Sequence, residues 1–291
     1  MGKNVKIKRG LDIALEGQPE NKVYGVTAPV TFAIKPGDFK GLIPKLLVKQ
    51  GDEVKAGDCL FTDKSNSSIC FTSPVSGEIA DIVRGDRRVV LEVKILADSE
   101  INYKTFDTSG FSSKSRDEIK NLMLEAGLWP FIVQRPFGVL ADTDVRPKAI
   151  HVSGFDSAPL APDLNISLQG EESNLKMGFE VLKMLTDGTV HLNLHTKRDK
   201  NVYNQVSGVD INTFEGPHPS GLVGVQINQI DPSNKGDVVW TVEPQYVTFI
   251  GKFVSTGNLN REQVIAVGGA EFNAPGYYQS RVGASVSSML S

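Results

Sequence analysis

The residues best suited to ligand chemistry lie in a proline-flanked segment with the sequence FEGPHPSGLVG at 214–224. A strand is expected to end at Phe214, and Ser220 is expected to cap the helix that follows. Open α/β sheets bind their ligands where the carboxyl end of a strand meets a helix N-terminus. The segment lacks the glycine spacing of a dinucleotide site and the Gly-Lys-Ser/Thr of a phosphate loop. It therefore predicts either a ligand site around His218 or a rigid structural turn.

Two other sets of residues are of types that bind metals, but their spacing and number do not support a site. His191 and His195 are four apart, but the alternating apolar residues around them predict a strand. In a strand their imidazoles stand roughly 13 Å apart, too far to share a zinc ion. The chain has two cysteines, whereas an iron–sulfur cluster takes about four thiolates. We expect Cys59 and Cys70 to be reduced, buried, small apolar residues, and we predict no metal ligands.

The overall composition is that of a folded protein. Of 291 residues, 40% are hydrophobic and 22% are charged, which excludes a disordered chain, and the length indicates about two domains. The net charge of −3 argues against a protein built to hold nucleic acid. No run approaches the roughly 18 apolar residues of a membrane span, and the basic start precedes no apolar signal core. We expect a soluble intracellular protein that reaches a membrane only through a partner.

Residues 1–100 are predicted to be β structure, because short runs of β-branched residues alternate with Gly-Asp turns. They should form a small flattened barrel whose first strand lies at 5–7. The motifs GDEVKAGDCL at 51–60 and SPVSG at 73–77 resemble the barrel-sandwich hybrid fold of biotinyl and lipoyl domains. That resemblance implies the fold of this N-terminal domain.

Within the predicted barrel, TDKS at 62–65 resembles the lipoyl attachment motif. This makes a biotinyl- or lipoyl-type carrier or binding module the alternative function of the chain. In carrier domains the modified lysine lies at the tip of a hairpin. Lys64 lies closer to one end of the predicted hairpin, whose middle holds Asn66, Ser67 and Ser68, so a solvated surface lysine is the competing interpretation.

The rest of the chain is predicted to be an α/β domain, 101–257, and a shorter β-rich unit, 258–291. Its polar first part, 101–115, is a predicted linker. A capping box opens a helix at Ser115, which ends near Gly127. Strands that alternate with helices indicate a mostly parallel sheet with helices on its faces. The further predicted elements are a helix at 171–185 and strands at 148–153, 190–194, 209–214, 238–242 and 263–267.

Five segments together resemble one family, the A subunit of the bacterial Na⁺-translocating NADH:quinone oxidoreductase. They are FEGPHPSGLVG at 214–224, KIKRGLD at 6–12, GLWPFIVQRPF at 127–137, FIGKFVSTG at 249–257 and RVGAS at 281–285. The resemblance runs from end to end. It implies that the chain is a C-terminally truncated version of the family's chain, in which 258–291 is the start of a β-grasp or SLBB-like domain.

The family resemblance implies a function within a membrane complex. That complex transfers electrons from NADH to quinone and couples the transfer to Na⁺ export. NADH, the flavins and the 2Fe-2S centre are expected on partner subunits. The family's chain is expected to be peripheral, on the cytoplasmic face of the bacterial inner membrane, beside integral membrane subunits. We expect it to contribute to assembly and to quinone or inhibitor binding, without a catalytic residue of its own.

The family also resembles the flavin-bearing subunit of respiratory complex I, which implies a Rossmann-like α/β domain. That relative binds FMN with a glycine-rich loop, where this chain has EAGLWP at 125–130. Leu128 and Trp129 fill the space that glycines leave for a flavin phosphate. We therefore expect a flavin-subunit fold without a cofactor bound to this chain, against the alternative of an independent flavoenzyme.

We expect a quinone or inhibitor to bind near the turn at 217–219. A quinone carbonyl needs a hydrogen-bond donor, and its ring needs an apolar slot. His218, between Pro217 and Pro219, is the expected donor, and an imidazole can also pass a proton. The expected walls of the slot are Trp129, Phe137 and Phe214. The competing interpretation is that His218 only braces the turn through a backbone hydrogen bond, in a turn that requires Gly216 and Gly221.

Overall fold

The first two strands, β1 (Asn4–Lys6) and β2 (Val23–Tyr24), pair with strands from distant parts of the chain. This is seen in a computed structural model, which describes residues 2–26, 29–196 and 202–289. β1 runs parallel to a strand that ends at Glu215. The expectation that 5–7 belongs to the N-terminal barrel is therefore wrong, because Val5 and Ile7 pack against buried Phe214 instead.

The N-terminal barrel consists of two small antiparallel sheets, in the strand orders β3-β9-β8-β5 and β4-β6-β7. Its strands are β3 (Thr31–Ile34), β4 (Pro44–Leu46), β5 (Glu53–Val54), β6 (Cys59–Asp63), β7 (Cys70–Thr72), β8 (Gly77–Arg84) and β9 (Val90–Ala97). The predicted Gly-Asp turns are present: Gly51 and Gly57 have φ of +85° and +102°. After each, the aspartate accepts a hydrogen bond from a backbone N–H three residues earlier, at 2.9 Å for Asp52 and 2.7 Å for Asp58.

Cys59 and Cys70 form a disulfide in this barrel. β6 and β7 are adjacent antiparallel strands, and this pairing brings the two Cα atoms to 5.6 Å, within the range that a disulfide spans. Both residues are half-buried. The expectation of two reduced, buried thiols is therefore wrong, since it considered each cysteine without its partner on the next strand.

The α/β unit contains a seven-stranded sheet in the order β1-β14-β13-β12-β15-β10-β11. Its own strands are β10 (Val133–Arg135), β11 (Val139–Leu140), β12 (Ala149–Ser153), β13 (Thr189–His195), β14 (Asp210–Glu215) and β15 (Val239–Thr241). The first five strands in the order are parallel, and β10 and β11 add an antiparallel edge. The prediction of a mostly parallel sheet is confirmed.

Five helices accompany the sheet within the described residues. They are α1 (Arg116–Ala126), α2 (Leu164–Ser167), α3 (Glu172–Leu185), α4 (Val223–Ile230) and α5 (Pro244–Thr256). The predicted capping box is present, because the Ser115 side chain accepts from the Glu118 N–H and the Glu118 side chain accepts from Ser115. α1 ends at Gly127, as predicted, and this glycine adopts the left-handed conformation. None of the helices in the described ranges has the length and apolar character needed to cross a bilayer.

The last strands, β16 (Glu262–Val267) and β17 (Gly276–Arg281), pair antiparallel, and β2 completes their sheet. Buried Arg261 joins this unit to the other two. Its guanidinium donates to the carbonyl oxygens of Thr72 in the barrel at 3.0 Å and of Gly127 after α1 at 3.1 Å. Burial lowers the pKa of Arg261 to about 9, so it remains charged at neutral pH.

Candidate functional site

The turn at 216–221 begins where β14 ends, as predicted. Gly216 has φ of +124°, and a Cβ on it would lie 2.1 Å from the carbonyl oxygen of Ile7. Only glycine fits such an approach. The hydroxyl of Ser220 donates to the Gly216 carbonyl at 3.0 Å and closes the turn. The expectation that Ser220 caps the next helix is therefore wrong: α4 begins later, with Leu222 at its N-cap.

His218 is held by the N-terminal segment on one side of the turn. Its carbonyl oxygen accepts from the N–H of Leu11 at 3.0 Å, and its N–H donates to Oδ1 of Asp12 at 2.8 Å. Gly10 allows this contact, because a Cβ there would lie 1.9 Å from the His218 carbonyl oxygen. The KIKRGLD motif at 6–12 thus packs directly on the Pro-His-Pro turn.

The imidazole of His218 is held from the other side by the loop after β12. Its Nδ1 lies 3.0 Å from Oγ of Ser157, and the same Oγ accepts from the N–H of Gly221 at 2.8 Å. A Cβ on Gly221 would lie 2.4 Å from the backbone nitrogen of Ser157. Gly221 is therefore required by the close approach of two loops rather than by the start of a helix.

The three predicted aromatic walls have different surroundings. Trp129 is fully buried, donates from Nε1 to the Ala141 carbonyl at 2.8 Å and meets Trp240 edge-on. Phe214 is fully buried in a small cluster beside β1. Phe137 is 70% exposed, because it lies in the short connection between β10 and β11. This corrects the prediction that the three rings form one wall at the His218 turn.

A cavity of about 400 Å³ opens next to the turn, at the carboxyl ends of β12 and β15 and the N-termini of α4 and α5. β12 has β13 on one side and β15 on the other, so this is the point where the strand order reverses and open α/β sheets bind ligands. Its apolar walls include Phe131, Phe155, Leu222 and Tyr246. Gly221 belongs to both the cavity and the turn, whereas Pro217, His218 and Pro219 do not line the cavity.

Charged groups at the cavity are Arg135, Asp156 and Glu243. Glu243 is exposed at the cavity; partial desolvation of its carboxyl group, together with the charge of Asp156, raises its pKa. Burial also raises the pKa of the Tyr246 phenol to about 12, and the nearby Glu243 carboxylate adds to the effect. The cavity therefore combines an aromatic wall, a neutral phenol and a carboxyl group that protonates more readily than usual.

A chain of hydrogen bonds runs beneath α4 to the edge of the cavity. Nδ2 of Asn212 donates to Oδ1 of Asn193 at 2.9 Å, and Nδ2 of Asn193 donates to Oε1 of Gln226 at 3.0 Å. Nε2 of Gln226 donates to Oγ of Ser153 at 2.9 Å and to the Ser220 carbonyl at 3.2 Å. We call these four side chains, Asn212, Asn193, Gln226 and Ser153, the amide chain.

Sequence reasoning missed the amide chain, although a signal for it exists. Polar residues alternate along three neighbouring strands, at 151 and 153, at 191 and 193, and at 210 and 212. Strand pairing sets these positions side by side, with Ser153 opposite Asn193 and Asn193 opposite Asn212. Polar alternation in a sheet covered on both faces marks a buried polar network rather than a solvated face.

His191 belongs to the same polar face. The prediction that it lies with His195 in a strand, β13, is confirmed. Its ring packs against that of His151 at a tilt of 31°, with centroids 4.4 Å apart. Burial lowers the pKa of His151 to about 3, with a further contribution from His191, and burial also lowers the pKa of His191. No group of three His, Cys, Asp or Glu side chains that could hold a metal is found in the described ranges.

Lys64 is exposed and comes directly after β6, at the start of the connection 64–69 to β7. Its backbone N–H donates to the Ile43 carbonyl at 2.8 Å, which fixes it beside β4. The residue therefore lies at the base of the hairpin, whereas a carrier lysine lies at the tip.

Comparison with known families matches both large units of the chain. Residues 5–98 match a family domain described as the NqrA N-terminal barrel-sandwich hybrid domain. Residues 114–259 match one described as the NqrA second alpha/beta domain. These matches agree with the two-sheet barrel and the helix-covered parallel sheet described above.

Similar curated proteins are named as the A subunits of Na(+)-translocating NADH-quinone reductases. One from Neisseria meningitidis serogroup B is 36% identical over 285 residues, and one from Yersinia pestis bv. Antiqua is 35% identical over 287 residues. The alignments cover 97% and 98% of this chain and 64% of each relative. The chain thus spans just under two thirds of the length of these relatives. It belongs to the NqrA family, the family of the A subunits of the Na⁺-translocating NADH-quinone reductases.

Proposed function

We propose that this chain acts as a peripheral subunit of a Na⁺-translocating NADH-quinone reductase, on the cytoplasmic face of the bacterial inner membrane. The observation that carries the proposal is the match over 97% of the chain to relatives of that name. Its partners are the other subunits of the complex, including integral membrane subunits, and NADH, the flavins and the 2Fe-2S centre belong to partner subunits. In this proposal the chain contributes to assembly and to quinone or inhibitor binding.

The chain is proposed to have no redox cofactor of its own. In a Rossmann-like domain related to the complex I flavin subunit, the loop at 125–130 would approach the flavin phosphate. Here Leu128 and Trp129 are both fully buried and fill that loop with side chains. The residues 258–291 are proposed to begin a β-grasp-like domain. A purified chain that takes up FMN stoichiometrically, seen as absorbance near 450 nm, would contradict the cofactor proposal.

A quinone or inhibitor ring is proposed to bind at the carboxyl edge of the sheet, where the His218 turn and the cavity adjoin. His218 offers a donor for a carbonyl oxygen. The cavity offers aromatic surface from Phe131, Phe155 and Tyr246 for a ring. These residues replace the predicted wall of Trp129, Phe137 and Phe214.

The test uses the complex purified from its native host. His218→Ala should raise the quinone KM about 3- to 10-fold, the effect of one lost hydrogen bond, while the subunits still co-purify. His218→Gln, which retains a donor, is the matched control. Leu222→Trp, which fills the cavity from its rim, should raise the same KM. Unchanged quinone kinetics in both His218→Ala and Leu222→Trp would reject the ligand site, and loss of assembly in His218→Ala would assign that residue a structural role.

Co-purification from native membranes tests the larger proposal. The integral subunits and NADH:quinone activity should accompany the chain. The intact mass of the chain from the same preparation addresses the carrier alternative, since a lipoyl or biotinyl adduct at Lys64 would support it and an unmodified chain would not.

A further inference from the structure

Three of the four polar groups of His218 already have partners within the chain. The backbone N–H donates to Asp12, the carbonyl oxygen accepts from Leu11, and Nδ1 contacts Ser157. Nε2 has no hydrogen bond among the described residues. The backbone and one edge of the ring are thus fixed from two sides, and one nitrogen is left for a ligand.

The hydrogen-bond partners of Ser157 favour one direction for its contact with His218. Oγ of Ser157 accepts the N–H of Gly221 at 2.8 Å, which uses one of its two lone pairs. The hydroxyl proton needs an acceptor, and Nδ1 of His218, at 3.0 Å, is the one that it contacts among the described residues. A nitrogen that accepts a hydrogen bond carries no proton in the neutral ring, so the proton lies on Nε2.

We propose that Ser157 fixes His218 in the tautomer protonated at Nε2, so that the turn presents one preoriented hydrogen-bond donor to an acceptor oxygen. Ser157 is a positioning residue, since it acts through the imidazole. The site then favours a ligand with a carbonyl or phenolate oxygen over one whose facing group is a donor. This inference rests on the proposed function in one respect, the identification of the acceptor oxygen as a carbonyl oxygen of a quinone.

The first experiment determines the tautomer directly. The full chain is labelled with ¹⁵N-histidine and examined by long-range ¹H–¹⁵N NMR at a pH where the ring is neutral. The chain has four histidines, and the spectrum of His218→Ala identifies the signals of His218. We expect a protonated Nε2 and an unprotonated Nδ1. A protonated Nδ1 would overturn the proposal, because the ring would then present an acceptor to the ligand.

Two variants test the role of the hydroxyl. Ser157→Ala should let a second tautomer or ring orientation appear and should speed hydrogen exchange at the Gly221 amide roughly 5-fold, the effect of losing a hydrogen bond of about 1 kcal/mol. Ser157→Thr keeps a hydroxyl and should restore the wild-type His218 spectrum. Ser109→Ala, in the exposed linker, is the control for removing a serine. An unchanged His218 spectrum in Ser157→Ala would overturn the positioning role.

Addition of a short-chain ubiquinone separates this inference from the proposed function. A shift of the His218 Nε2 signal that is weakened in Ser157→Ala supports both. If the quinone leaves an Nε2-protonated ring unperturbed, the quinone site fails and the assignment of Ser157 stands.

Discussion

The two faces of the seven-stranded sheet differ in chemical composition. Toward α3 and α5 the strands present apolar side chains such as Ile150, Val152 and Leu192, all fully buried. Toward α4 the alternate positions of the same strands present the imidazoles of His151 and His191 and three members of the amide chain, Asn212, Asn193 and Ser153. Burial of apolar side chains stabilises a fold but does not depend on their precise orientation. Hydrogen bonds are directional and hold particular donor and acceptor atoms in place. The apolar face therefore supplies stability, and the polar face positions the turn and the rim of the cavity.

The largest loss of stability is expected from a substitution on the apolar side of the sheet, where α3 packs against α5. A Cβ at Gly251 would lie 1.8 Å from the Asn174 carbonyl oxygen, so Gly251→Val must force the helices apart. We expect loss of the cooperative thermal transition. Gly37→Ala is the control, because a Cβ there meets nothing within 4 Å. A Gly251→Val protein that melts like the wild type would show that the helix contact is wrong.

A smaller loss is expected from a cavity on the same apolar face. Leu182 of α3 is fully buried, so Leu182→Ala should lower the free energy of unfolding by about 2–5 kcal/mol. Urea titration measures it. Leu47→Ala, at a side chain that is 53% exposed, should change it by less than about 0.5 kcal/mol. Equal effects of the two variants would refute the assignment of Leu182 to the core.

On the polar face, Gln226→Leu should lower the free energy of unfolding by about 1–3 kcal/mol, because the buried Nδ2 of Asn193 loses its hydrogen-bond acceptor. Gln229→Leu makes the same substitution on the exposed side of α4 and should be nearly neutral. Gln226→Leu should also raise the quinone KM of the complex if the amide chain positions the Ser220 carbonyl and the turn. A normal KM with reduced stability would confine the amide chain to a structural role.

The smallest change in the free energy of unfolding is expected on lowering the pH. Burial lowers the pKa of both His151 and His191 in the folded state, so the unfolded chain binds protons first as the pH falls. Stability should therefore be constant above about pH 6.5 and fall below it, by up to about 1 kcal/mol per histidine over the first pH unit. Urea titrations at pH 7.5 and 5.5 measure this difference. His151→Phe keeps an aromatic ring beside His191 and should make the difference in unfolding free energy between the two pH values smaller. An undiminished difference would assign the pH dependence to other titratable groups.

Local patterns predicted the elements of both large units well. The capping box at Ser115, the left-handed Gly127 and the alternation in β13 depend on residues close in sequence, and all three are confirmed. What the sequence could not indicate is which distant segments meet. The disulfide of Cys59 with Cys70 depends on the register of two strands, and the place of β1 depends on a partner about 200 residues further along.

The candidate site shows the same division. The turn at 216–221 and its glycines could be predicted from the sequence, because proline restricts the backbone locally and glycine permits conformations that other residues avoid. Asp12 and Ser157, which hold His218, come from two separate loops and carry no local signal. The cavity carried no local signal either, since Phe131, Phe155 and Tyr246 converge only after the sheet and helices pack.

The pairing of β1 with β14 has a consequence during synthesis. The segment at 4–6 leaves the ribosome well before its partner at 213–215, which follows about 200 residues later. At roughly 5–20 residues per second, the first strand waits on the order of 10–40 s for a place to dock. During that interval the barrel can fold alone, whereas β1 and Asp12 have no partners until β14 and the His218 turn have been synthesised. The ligand-binding edge is therefore among the last parts of the chain to be completed.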